Sequence, residues 1–202
     1  MSLNWFNKIV KEHPKFWETY LTYFEENQSK EKRYVVFDCE TTGLDHKSDR
    51  ILSIGAVAIQ HNEIIVNDYL EVFLHQEVFK AETVLIHGIL REGKEEKIVE
   101  AEAVIRFLEF VKDATLVGHH VDFDIEMINQ SLARLDLGKL KNQSMDTDIM
   151  YQKLKYLPYE QHTSLDELCT IYKNKKSDRH TASGDAFITA LLFLKLKRKL
   201  EI

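Results

Sequence analysis

Asp38 and Glu40 flank Cys39 in a run, Tyr34-Val35-Val36-Phe37-Asp38-Cys39-Glu40, whose β-branched and aromatic residues read as a strand. Side chains alternate along a strand, so both carboxylates point to one face and Cys39 to the other. Two acids on one face repel, and a hard cation between them relieves that repulsion; all-oxygen donors favour Mg²⁺ or Mn²⁺ over zinc or copper. The same pattern also occurs at solvated strand ends and turn caps, so the pair alone does not choose between them. Thr41-Thr42-Gly43 follows, adding two hydroxyls and a residue that lets the backbone approach a ligand closely.

Two further blocks carry polar groups at element junctions. In Val117-Gly118-His119-His120-Val121-Asp122-Phe123-Asp124 an apolar strand ends and a helix begins, with Asp124 at the helix start, where an acid serves equally as an N-cap or as a ligand. In His180-Thr181-Ala182-Ser183-Gly184-Asp185 the chain enters its last long helix. Five residues do not return a side chain to the same helical face, so His180 belongs to the loop or first turn while Asp185 projects from the helix.

The elements that must position these groups follow from periodicity. Residues 34–37, 51–60 and 64–74 read as strands, the last two joined at His61-Asn62-Glu63 as part of a meander, and 115–118 as a further short strand. Apolar residues three or four apart predict helices over 100–111, 124–135, 147–154, 164–172 and 182–199, the fourth opened by a Ser164 or Thr163 cap. Residues 1–32 form an N-terminal helical extension of two short helices, the second opening at Pro14 and carrying Trp17, Tyr20, Leu21 and Phe24 as a packing face. The main domain is expected over 33–202, an α/β fold with a mixed central sheet.

Composition bounds the rest. At 202 residues and 44% hydrophobic the chain supports one medium domain. Two distant cysteines without CxxC spacing exclude a disulfide framework and a thiolate zinc site, which fits a reducing cytoplasm. No stretch is apolar enough to serve as a secretory signal or to span a bilayer, so no membrane partner is expected. The net charge of −6 argues against an extended basic grip on phosphates. Carboxylates that collect divalent ions make an empty site acidic and reverse its sign on loading, so substrate binding is expected to depend on metal.

Taken together, Phe37-Asp38-Cys39-Glu40-Thr41-Thr42-Gly43, Gly118-His119-x-x-x-Phe123-Asp124 and His180-x-x-x-x-Asp185, with Ile86-His87-Gly88-Ile89 between the first two, resemble the motifs of the DEDDh (DnaQ-like) 3′-5′ exonucleases, which include the proofreading epsilon subunit of bacterial DNA polymerase III. The resemblance spans residues 34–196. It implies a ribonuclease H-like mixed five-stranded sheet flanked by helices. It implies that Asp38, Glu40, Asp124 and Asp185 coordinate two divalent metal ions, Mg²⁺ or Mn²⁺, and that His180 is the general base. Thr41, Leu44, Ile86, His87 and His119 are similar to positions that hold the terminal nucleotide. His120 stands where many members have asparagine, and Asp146-Thr147 matches a position that is usually structural.

The chemistry agrees with the resemblance. Phosphodiester hydrolysis needs a deprotonated water and charge stabilisation on both attacking and leaving oxygens, which two ions supply, and a histidine accepts a proton near neutrality. The expected substrate is the 3′ end of DNA, single-stranded or frayed, in proofreading or repair. RNA-directed activity is the alternative, because the four acids and the histidine do not distinguish ribose from deoxyribose. A silent nucleic-acid or polymerase-binding module is a third reading, opposed by all five catalytic positions being filled. A DNA polymerase is an implied partner, although the short stretch after the last helix favours a stand-alone enzyme. Lys173, Lys175, Lys176 and Arg179 cluster just before His180; most of them read as a charged, solvated loop, the alternative being contact with backbone phosphates upstream of the scissile bond.

Overall fold

The computed structural model describes residues 13–25, 32–78, 80–90 and 93–202. Three long strands, β1 (Tyr34–Thr41), β2 (Ile51–Gln60) and β3 (Glu63–Leu74), form the antiparallel meander expected from their β-branched content. His61 and Asn62, at φ 52° and 62°, supply the left-handed pair that matches a tight hairpin turn to strand twist. Helix α2 (Ala81–His87) and the two-residue strand β4 (Lys97–Ile98) lead to α3 (Glu100–Val111), β5 (Thr115–Gly118) and α4 (Val121–Arg134). The chain closes through β6 (Ser144–Asp146), α5 (Thr147–Lys155), α6 (Leu165–Tyr172) and α7 (Ala182–Leu200).

The sheet is mixed and has six strands in the order β4-β3-β2-β1-β5-β6, one more than expected. The fold class stands, but β4 and β6 have only two and three residues, too few to show any period. Strands β1, β5 and β6 run parallel, so their carboxyl ends share one edge, the edge at which open α/β sheets commonly bind ligands.

Alternation along β1 divides the interior. Val35, Phe37 and Cys39 enter a core with α3 and α4, where Phe37 meets Phe107 at 5.2 Å between ring centroids. Tyr34 and Val36 enter a second core with α5, α6 and α7, including Leu168, Phe193 and Leu196. Strand β2 is buried along nearly its whole length because both helical layers cover it.

Helix α1 (Lys15–Thr22) opens after Pro14 and lays Trp17 and Tyr20 into the first core, so the aromatic stripe is a packing face of the domain itself. The Tyr20 hydroxyl donates to Asn142 Oδ1 at 2.7 Å and accepts the Lys141 N–H at 2.8 Å, which fastens the helix to the segment before β6. The expected first helix, before Pro14, lies outside the described residues. Ser164 caps α6 in a reciprocal capping box with Glu167. Helix α4 starts three residues earlier than expected, and its N-cap position is His120 in the left-handed region at φ 59°. Asp124 is therefore a first-turn residue rather than a cap.

Candidate active site

Asp38 and Glu40 leave the carboxyl end of β1 on the face covered by α7, with Cys39 on the opposite face. Across the ladder Asp38 faces Gly55 and Glu40 faces Ser53. Asp185 projects from the first turn of α7, and one carboxylate oxygen each from Asp38, Glu40 and Asp185 lies within 4.8 Å of the others. Asp124 approaches β1 from α4 and accepts the Cys39 N–H on Oδ1 at 3.0 Å.

This crowding raises three of the acids above the usual carboxylate range. Burial first, then the charges of Asp124, Asp185 and Glu40, push Asp38 well above the usual carboxylate range. Burial and Asp185 raise Glu40 to about 7 despite the opposing charge of Arg179. Burial raises Asp124 as well, against the hydrogen bond from Cys39. Asp185 Oδ1 is buried against the Arg179 guanidinium, with which it forms an ion pair, and it has no other partner among the described residues. Four carboxylates thus face one guanidinium. The donor set is all oxygen and short of positive charge, which is the composition that holds hard divalent cations.

Arg179 differs from the solvated loop expected for most of its cluster. Rather than lying solvated, its side chain is 16% exposed and bridges Asp166 of α6 to Asp185, with Nε 3.2 Å from Asp166 Oδ1. Its position next to His180 was visible, but not that the loop turns it inward. Lys176 also pairs with Asp166, at 3.3 Å.

His180 sits just before α7 at φ 63°, its ring exposed and its backbone N–H donating to Asp185 Oδ2 at 3.3 Å. Thr181 caps the helix by accepting the Gly184 N–H. His119 is bonded through Nδ1 to Thr147 Oγ1 at 2.9 Å, while its Nε2 is buried without a partner. Burial, then the neighbouring His120, lowers the His119 pKa to about 4, so it is neutral at physiological pH. Asp146 ties helices together: Oδ1 accepts the Asp148 N–H at 2.7 Å and Oδ2 the Val121 N–H at 2.9 Å.

The remaining sequence-derived positions spread outward. Thr41 is buried and donates to Gly43 O at 2.8 Å, whereas Leu44 is 84% exposed and so contributes nothing to the core. Gly43 gives close approach to Asp49 and Lys80, since a Cβ there would fall 2.5 Å from Asp49 Oδ2. Asp49 accepts from Thr42 Oγ1 at 2.8 Å and pairs with Lys80 Nζ at 2.5 Å, linking this loop to the start of α2. Ile86 belongs to α2, and its side chain lies outside the described residues.

His87 is buried, with Nδ1 accepting the Ile89 N–H at 3.0 Å. Its Nε2 has no partner, nor do the buried Ser53 Oγ and Asn174 Nδ2, and all three residues line one groove of about 790 Å³ with Glu71, Lys173 and Ser183. Buried polar atoms without partners are uncommon and mark places where a ligand or water completes the hydrogen bonding. Ser53 and Asn174 carried no sequence signal, because their significance lies only in what surrounds them.

A mixed sheet with carboxylates at the shared edge of its parallel strands is the architecture of the ribonuclease H-like exonucleases, and comparison with solved structures agrees. Escherichia coli Exonuclease I in complex with a dA16 oligonucleotide superposes with a TM-score of 0.74 at 18% identity, over 84% of this chain and 42% of that one. Exonuclease I from Methylocaldum szegediense gives 0.69 at 19% identity, over 83% and 40%. At such identities the likeness is one of fold.

The chain belongs to the exonuclease family RNase_T, whose profile matches residues 35–193. The PolC-type DNA polymerase III of Caldanaerobacter subterraneus subsp. tengcongensis is 34% identical over 182 residues, 88% of this chain and 12% of that protein. The PolC-type enzyme of Latilactobacillus sakei is 32% identical over 166 residues, 82% and 11%. This chain therefore spans about an eighth of the length of these relatives. Among the described residues no helix is long and apolar enough to cross a membrane.

Proposed function

We propose that this exonuclease removes nucleotides from the 3′ end of DNA, single-stranded or frayed, by metal-dependent hydrolysis. The observation that carries the reading is the convergence of Asp38, Glu40 and Asp185 within 4.8 Å, with Asp124 behind them, from three segments far apart in the chain. Two divalent ions, Mg²⁺ or Mn²⁺, would bring four positive charges to four carboxylates and, when bound, supply Lewis-acid activation of water and stabilisation of both reacting oxygens. Asp38, Glu40, Asp124 and Asp185 would hold them.

His180 is the proposed general base. Its ring is exposed, and its backbone is tied to Asp185 by the N–H bond and followed by the Thr181 cap, which supports a place for it at the edge of the carboxylate cluster. Exposed Leu44 and the α2 residues Ile86 and His87 are proposed to hold the terminal nucleotide, with Thr41 at the strand end and His119 as a neutral hydrogen-bonding group. The groove that His87 lines also includes Ser53, which faces Glu40 across the β1–β2 ladder. Exonuclease I has been solved in complex with dT13 and dA16 oligonucleotides, and the PolC relatives are DNA polymerases, which supports DNA over RNA and a polymerase as partner.

A time course with 5′-labelled single-stranded DNA and the matching RNA, each with Mg²⁺, Mn²⁺ or EDTA, tests the proposal against Asp38→Ala. A metal-dependent ladder shortening from the 3′ end, faster on DNA and absent in the variant, is expected. Faster loss of RNA replaces the substrate, and no cleavage in any metal removes the activity.

A further inference from the structure

His120, Asp148 and His162 come from three separate segments: the residue before α4, the first turn of α5 and the loop before α6. One donor atom from each lies within 4.8 Å of the others. Asp148 is the fixed member. Its side chain is 1% exposed, Oδ1 accepts the Thr163 N–H at 2.9 Å, and Oδ2 lies 2.7 Å from His162 Nδ1. His162 is half-exposed and His120 exposed, with their ring centroids 5.5 Å apart.

We infer that these three residues form a binding site for a borderline transition-metal ion, zinc foremost, separate from the carboxylate cluster. Two imidazoles and one carboxylate, with the remaining position open to water, are a recurrent ligand set for zinc. Magnesium is excluded by the same chemistry, since it prefers oxygen donors and retains its water. Tetrahedral zinc at about 2.0–2.1 Å from each donor sets donors roughly 3.3 Å apart. The two solvent-facing imidazoles reach that spacing by side-chain rotation around the immobile carboxylate.

The surroundings are those of a ligand already oriented. Thr163 N–H and Gln152 Nε2, the latter 3.2 Å from Asp148 Oδ2, hold the carboxylate from behind, as outer hydrogen bonds commonly do for metal ligands. Binding replaces the hydrogen bond between His162 and Asp148: the imidazole carries its proton on solvent-facing Nε2 instead of Nδ1, and Nδ1 and the carboxylate both become ligands to the ion. The ion then fastens the start of α4, the helix that carries Asp124, to α5 and the loop before α6. Sequence reading treated His120 only as a departure from the family pattern, because residues 28 and 42 positions away give no local spacing to recognise.

The test uses the full chain carrying Asp38→Ala and Glu40→Ala, so that the carboxylate cluster no longer competes for the probe. Co²⁺ is titrated by visible absorption and Zn²⁺ by calorimetry, with thermal unfolding in parallel. One equivalent of Co²⁺ with the intense visible bands of a four-coordinate nitrogen-containing site is expected, displaced by Zn²⁺ and not by a hundredfold excess of Mg²⁺. Adding His120→Ala or His162→Gln, both at solvent-facing positions, should weaken binding at least tenfold and abolish the rise in unfolding temperature with Zn²⁺. Unchanged titrations in both histidine variants, or no visible Co²⁺ bands in the parent, overturn the inference.

Discussion

Gly55→Ala tests how the sheet and the last helix share the site. Gly55 lies opposite Asp38 in the β1–β2 ladder. A Cβ built there falls 2.1 Å from Ser183 N and 2.2 Å from the Ala182 carbonyl carbon, both backbone atoms at the start of α7. Ordinary contact needs about 3.5 Å, so one methyl group forces the helix terminus back by roughly 1.4 Å. Backbone cannot rotate aside as a flexible side chain would. Overpacking of this kind costs about 1–3 kcal/mol, or about 2–4 °C of melting temperature for each kcal/mol in a chain of this size.

The functional loss should exceed the loss of stability, because the same movement carries Asp185 and the His180 loop away from Asp38 and Glu40. Misplacement near 1 Å costs on the order of 10²-fold in rate. The assay is exonuclease turnover at saturating Mn²⁺, beside thermal unfolding of the same samples. A variant with wild-type turnover and melting temperature would refute the account, and one that melts lower but turns over normally would show that α7 does not set the metal geometry.

Further outcomes can be checked directly. His180→Ala should keep Mn²⁺ affinity, measured by titration, while turnover falls by roughly 10²–10⁴-fold; near-normal turnover removes it as base. Glu40 titrates near 7 in the folded protein against an ordinary 4.5, so the native state binds extra protons between those values. The metal-free protein should therefore lose stability as pH rises through that window, and Mn²⁺, which displaces those protons, should bind more tightly at pH 8 than at pH 6. Equal affinity at both values contradicts the shift. Arg179→Ala strips the guanidinium from buried Asp185 and should lower metal-free stability by about 3 kcal/mol, read by chemical unfolding; Mn²⁺ should restore more stability to this variant than to wild type.

The sequence alone determined the local facts. Alternation put Asp38 and Glu40 on one face, the five-residue offset separated His180 from the helix that bears Asp185, and periodicity located the meander and helices α3 to α7. These succeed because strand and helix geometry are fixed by backbone sterics and recur over short windows. The motif spacing also carried the family, since order along the chain is a sequence property.

Tertiary structure decided everything that depends on approach across space. Strands β4 and β6 exist because a neighbour pairs with them, not because two or three residues prefer extension. Arg179 turns inward because Asp166 and Asp185 are both within reach, and Gly55 matters because α7 crosses above it. Leu44, which composition alone would assign to a core, stands in solvent, while His87 is enclosed. The grouping of His120, Asp148 and His162 likewise arises only where β5 and β6 run side by side and bring α4 and α5 to one edge. Burial, charge balance and steric contact are properties of neighbours in space, and a linear pattern has no access to them until the sheet order is known.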